Sequence, residues 1–147
     1  MNQTILAALT IMIGGFCIAL QAPINAALAR QVQSPLVAAA ISFAVGFLIL
    51  ALLAVGLGQA RGVARLMGAE WWMLAGGALG AFYVWSMVWS LPRLGALSAL
   101  CAVALGQILA AMLLDRLGAF GLPMREISVP RILAAVMVGG GLILSRF

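Results

Sequence analysis

Apolar residues run along this chain in five long stretches, four of them closed by an arginine, a proline or a polar pair. The stretches cover residues 5–29, 35–56, 71–90, 95–114 and 130–144. They do not alternate apolar and polar positions as barrel strands do. In lipid, backbone polar groups must be satisfied within the segment, so runs of this kind are helical. The pattern predicts an all-α membrane protein of five transmembrane helices, at about 20 residues per crossing. The first helix ends at Arg30, and the second opens on Pro35, a favourable first-turn proline. The third opens at Trp71 and Trp72, where an interfacial aromatic belt is expected, and closes near Ser90, before Pro92. The fourth stops at Asp115 and Arg116. Connections are short except at 58–70 and 115–129. No linker or second composition block interrupts the chain, so residues 1–147 read as one domain.

Composition fixes the solvent. Hydrophobic residues make up 66% of the chain and charged ones 7%. A soluble domain has about 25% charged residues, so this chain could not cover a water-facing surface. The net charge of +5 comes from eight arginines against three acids. The arginines are scattered singly between the runs, which fits residues flanking membrane spans and gives no patch for nucleic acid. Cys17 and Cys101 lie inside apolar runs and read as small buried hydrophobes. Histidine is absent, which removes the commonest general base and metal ligand. There is also no carboxylate pair, phosphate loop or metal-spaced cluster. Neither an enzyme nor a metal or cofactor site is expected. The first run could pass for a secretory signal with its alanine-rich exit at 26–29. Residues 1–3 lack the positive charge of such signals, so it is read as a retained span.

The arginines also bear on orientation. Arg61, Arg65, Arg116, Arg125 and Arg131 fall on the side of the N-terminus, and Arg30, Arg93 and Arg146 fall opposite. This bias leans only weakly towards an inside N-terminus. One or two moved arginines would reverse it, so insertion in both orientations and pairing of two opposed copies are expected. Many transporters hold substrate between inverted repeats.

Small residues recur at four-residue spacing in four of the helices. They are Ala38, Ser42 and Gly46; Gly76 and Gly80; Ser98, Ala102, Gly106 and Ala110; and Ala135 and Gly139. Such ladders let helix backbones approach closely in lipid, within one protomer or between two.

Polar side chains at membrane depth mark either function or interhelix hydrogen bonds. Gln21 and Asn25 are four apart and share a helix face. Pro23, between them, has no amide proton, so the Ala19 carbonyl loses its usual partner and a helix kink is expected. Two amides beside a freed carbonyl suit a polar ligand, or else staple the kink to a neighbour. The third span holds Tyr83 and Ser86 on one side and Trp85 and Trp89 on another. One of these faces is expected to line a cavity, where aromatic rings hold cations or planar substrates. Gln107, near the middle of the fourth span, is either interhelix glue or a site residue. Ser42 reads as a packing residue. Asp115 and Arg116 read as an ion pair closing their helix. No charged residue falls in the centre of a span, so an embedded carboxylate relay is missing.

Several stretches carry a family resemblance. They are Gly15 and the run Gln21-Ala22-Pro23-Ile24-Asn25-Ala26-Ala27-Leu28, then Gly80-Ala81-Phe82-Tyr83-Val84 and Leu91-Pro92-Arg93-Leu94-Gly95-Ala96. Gly106-Gln107 and Asp115-Arg116-Leu117-Gly118, with Gly121 and Pro123, complete the ordered set. It resembles the YdcZ-type family of small membrane proteins in the drug/metabolite transporter superfamily. The resemblance implies a five-helix half-transporter, assembled as an antiparallel homodimer with ten helices in inverted repeat. The chain differs from the related small multidrug resistance proteins, which have four helices and a carboxylate in the first.

The reading expected from these observations is a secondary transporter of the bacterial inner membrane, moving a small organic solute by alternating access. Gln21, Asn25, Tyr83, Ser86 and Gln107 would bind substrate, Pro23 would bend the first helix, and no cofactor is involved. Expected partners are the small-molecule substrate, the lipid bilayer and a second copy of the chain. A dual-topology channel and a non-transporting membrane subunit are the rival readings.

Overall fold

A computed structural model describes residues 2–145 and 147, so Arg146 lies outside the described residues. Among these residues the chain forms helices and turns without strands. The helices are α1 (Gln3–Gln31), α2 (Pro35–Gly56), α3 (Ala75–Leu94), α4 (Ala96–Leu117) and α5 (Val129–Leu144). Their ends follow local chemistry. The Asn2 side chain accepts from the Thr4 amide at 3.2 Å, and the Ser34 hydroxyl oxygen accepts from the Val37 amide at 3.2 Å. These caps satisfy amides that a helix start leaves unpaired. α4 ends on Gly118 at φ 60, a left-handed position that glycine takes without a Cβ penalty.

Four helices are long and apolar enough to cross a bilayer: Gln3–Gln31, Pro35–Gly56, Trp71–Leu94 and Ala96–Leu117. The third of these includes a 3-10 entry turn, Trp71–Leu74. α5 has 16 residues. At 1.5 Å per residue it reaches about 24 Å, short of the roughly 30 Å hydrocarbon layer. Large apolar side chains point outward, with Ile11 75%, Leu52 73% and Met137 75% exposed. Only lipid accommodates such a surface. Cys17 is exposed as well, against its reading as a buried hydrophobe.

The third helix does not close before Pro92 but runs through it to Leu94. In the last turn the proline removes one bond, to the Val88 carbonyl, and its fixed φ is helical. Arg93 then folds back and donates to the Trp89 carbonyl. The fourth helix likewise continues past Asp115 to Leu117.

The chain divides into two compact units, Met1–Arg93 and Leu94–Phe147. In the first, α1 buries Ala22, Asn25, Ala26 and Ala29, a single stripe at three- and four-residue spacing. Ala38, at 0% exposure, and Ala39 pack there from α2, with Val84 and Val88 of α3. The core is mostly alanine, which brings the α1 and α2 backbones close. Residues 2–13 of α1 are exposed throughout.

In the second unit α4 and α5 form a hairpin tied at both ends. At one end Ser98 Oγ donates to the Ser145 carbonyl at 3.2 Å, and Ser145 Oγ reaches Ser98 Oγ at 2.9 Å. At the other end Arg131 Nη1 meets Asp115 Oδ2 at 2.8 Å. The partner of Asp115 is therefore Arg131 and not its sequence neighbour Arg116. Successive residues project about 100° apart on a helix, whereas Arg131 opens the adjacent helix. An acid at a helix C-terminus and a base at a helix N-terminus each oppose the local dipole, and here the two offset one another.

Candidate functional site

The polar side chains of the first unit converge on one oxygen. Asn25 Nδ2 donates to Ser42 Oγ at 3.2 Å, and Gln21 Nε2 donates to the same atom at 3.4 Å. The four-residue spacing places both amides on the α1 face turned to α2. α1 is helical through Pro23, so the lost backbone bond does not break it. Gln21 lies ten residues before the end of α1 at Gln31. That is about 15 Å along the axis, roughly half the hydrocarbon depth. Asn25 is buried, while Gln21 and Ser42 are half-buried. With both amide nitrogens turned to Ser42, the carbonyl oxygens of Gln21 and Asn25 stay available as acceptors.

Ser42, read from sequence as a packing residue, is the hub of this cluster. The sequence signal was present: Ser42 is the sole hydroxyl in the apolar run of α2, at a depth where such a group seeks a partner. Its partners lie 17 and 21 residues away, beyond what local spacing reveals.

Two spaces adjoin the cluster. Gln21, Asn25, Tyr83 and Met87 help to line a cavity of about 10 Å³ between α1 and α3. That is about the room one water needs, so an organic solute does not fit in this state. On the α2 side, Gln21, Ser42, Phe43, Gly46, Phe47 and Leu50 line an open groove of about 340 Å³. Phe43 closes its edge, lying 3.4 Å from where a Cβ on Gly80 would stand.

The other expected site residues are placed differently. Tyr83 joins Gln21 and Asn25 at the small cavity. Ser86 spends its hydroxyl on its own helix, donating to the Tyr83 carbonyl at 2.8 Å. Gln107 is exposed on α4, in the second unit. Both faces of α3 border space, where one was expected. Phe82, Trp85 and Trp89 form an aromatic row with centroids 5.8 and 6.5 Å apart, and Trp89 lines a recess of its own. Among the described residues no group of three or more His, Cys, Asp or Glu could hold a metal ion.

A family model described as "Putative inner membrane exporter, YdcZ" matches residues 6–144. The chain is also similar to the inner membrane protein YdcZ of Escherichia coli (strain K12), 27% identical over 77 residues. That alignment covers 52% of this chain and 52% of the relative, so it spans about half the relative's length. No solved structure matches.

Proposed function

The chain belongs to the YdcZ family of multi-pass inner-membrane proteins, and we propose that it is a secondary transporter that moves a small organic solute by alternating access. The observation that carries this reading is the Gln21–Asn25–Ser42 cluster at mid-depth, beside an open groove. Polar groups so placed are costly in lipid unless they serve a substrate path or hold helices together. Here the two amides retain acceptor oxygens, which can take hydrogen bonds from a polar solute. Tyr83 completes the proposed site within the first unit, Ser86 holds the α3 backbone beside it, and Pro23 softens α1 where movement is needed.

In this proposal α5 is the fifth crossing, with the bilayer thinning slightly around its 16 residues. The working unit is an antiparallel homodimer, and the two protomers exchange roles in each cycle. Three ladder glycines support a second copy. Gly46, Gly76 and Gly106 have nothing within 4 Å of an ideal Cβ, so each of these positions lies on an open face. The weak arginine bias permits the required opposite insertion.

The test is solute uptake into liposomes, across a broad panel, by wild type and Asn25→Leu. Saturable uptake by wild type, reduced at least roughly tenfold in the variant, is expected from loss of a ligand hydrogen bond. Equal uptake by the two proteins overturns the site. Absence of saturable uptake across the panel overturns the transporter reading.

A further inference from the structure

The recess at the other end of the first unit carries a different chemistry from the mid-membrane cluster. It measures about 330 Å³ and is bordered by Arg30 at the end of α1, Pro35 at the start of α2, and Trp89 and Arg93 near the end of α3. Ala26, Ala29 and Val88 form its apolar floor. Two arginines from different helices therefore line one space, and no carboxylate lines it. Glu70, the one acid of the first unit, holds the Trp72 indole, so it is not the counter-ion here.

We propose that this recess binds an oxyanion, the phosphate or carboxylate group of a lipid headgroup or of a soluble solute. Arg93 is positioned for it in advance. Its guanidinium stacks 3.9 Å from the Trp89 ring centroid and donates to the Trp89 carbonyl. Trp89 in turn stacks on Trp85 at 6.5 Å and 26°. The side chain is thus fixed on one edge, and most of its N–H donors remain unspent. The Arg30 side chain makes no hydrogen bond or ion pair among the described residues, and the residue is exposed.

The competing explanation is that each arginine simply offsets the partial negative charge at its own helix C-terminus. The magnitudes argue against it as a full account. Each terminus carries about half a unit of negative charge, and the α2 N-terminus contributes about half a unit of positive charge. The first turn of α2 holds no acidic residue to cancel that contribution. A balance of about +1.5 is left facing the recess, at a membrane boundary where charges are weakly screened. A bidentate oxyanion, carboxylate or phosphate, matches guanidinium geometry better than a spherical anion does.

Val88 connects this recess to the candidate site. It is 2% exposed and lines both the recess and the small cavity beside Asn25. An anion held at the recess is therefore one side chain away from the polar cluster.

Tryptophan emission reads the proposal directly and requires no transport. The protein would be reconstituted in nanodiscs with Trp71→Phe and Trp72→Phe, leaving Trp85 and Trp89 as reporters. Inorganic phosphate is titrated into phosphatidylcholine discs, and these are compared with discs containing phosphatidylglycerol. A saturable, salt-sensitive change with phosphate assigns a soluble oxyanion. A change seen only between the two lipid compositions assigns a headgroup. In either case Arg30→Gln and Arg93→Gln are expected to weaken the response roughly tenfold each, as loss of a charge-assisted bond predicts. Arg30→Lys and Arg93→Lys keep the charge and should retain weaker binding, which covers the case where a glutamine variant fails to fold. No response in either arm, or responses unchanged in both glutamine variants, overturns the proposal. Because the readout is binding, its failure leaves the transporter reading untouched, and a failed uptake assay leaves this one untouched.

Discussion

The two units of this protein use hydrogen bonds at different depths. In the α4–α5 hairpin the polar ties stand at the helix ends, Ser98 with Ser145 and Asp115 with Arg131, with no interhelix side-chain hydrogen bond between them among the described residues. In the first unit the polar tie stands mid-helix, with Gln21 and Asn25 on Ser42. A tie at a helix end fixes register near the membrane surface, where water lowers the cost of an unmet partner. A tie at mid-depth has no such relief, so a chain that keeps one there gains either strong helix association or a place for a polar solute. The open groove beside Ser42 favours the second. On the proposed reading, the hairpin supplies architecture and the first unit supplies the chemistry.

Substitutions can break or sharpen that contrast. The largest effect is expected from Ser42→Leu, which removes the shared acceptor and fills the groove. Uptake should fall at least roughly tenfold while the protein remains helical by circular dichroism. Were a hairpin variant to reduce uptake equally without loss of stability, the division of labour would be wrong.

Next is Ala38→Leu. Ala38 is completely buried between α1 and α2. Overpacking there should cost about 1–3 kcal/mol, seen as a lower thermal midpoint in detergent. A midpoint unchanged from wild type would show that the α1–α2 contact is looser than its alanines suggest.

The hairpin should respond less. Asp115→Asn and Arg131→Gln, combined in a double-mutant cycle, should give a coupling of up to about 1 kcal/mol, because both side chains are partly exposed. Smallest is Ser98→Ala, at roughly 0.6 kcal/mol, the average found for interhelix hydrogen bonds in membranes. For both, saturable uptake by the folded fraction should stay at the wild-type level. A loss of uptake in either case moves function into the second unit.

How much of this was legible in the sequence depended on the range of the interaction. The helices announced themselves because a long apolar run has one stable form in lipid, and the Pro35 start held to the residue. The end of α3 did not, because a proline in a last turn costs one hydrogen bond and no more. Gln21, Asn25 and Tyr83 were identifiable as polar groups at depth, and they do surround one cavity. Ser42 was visible as a residue but not as their acceptor, and Arg131 was not visible as the partner of Asp115. Both depend on which helices lie side by side, which local periodicity does not encode. Ser86 illustrates a further limit. A serine three residues past a carbonyl can satisfy itself within its own helix, and spacing alone cannot distinguish that from a hydroxyl offered to a ligand.

The exposed first half of α1 bears on how the protein is made. Residues 2–13 are all exposed, whereas the stripe from Ala22 to Ala29 meets its neighbours only after residues 38 and 39 have been synthesised. The leading segment must therefore enter lipid as a solitary rod, held by its own backbone bonds and the Asn2 cap. Biogenesis divides α1 into a part that stands alone and a part that waits for company. Weakening the early part should delay membrane integration before it alters the finished fold.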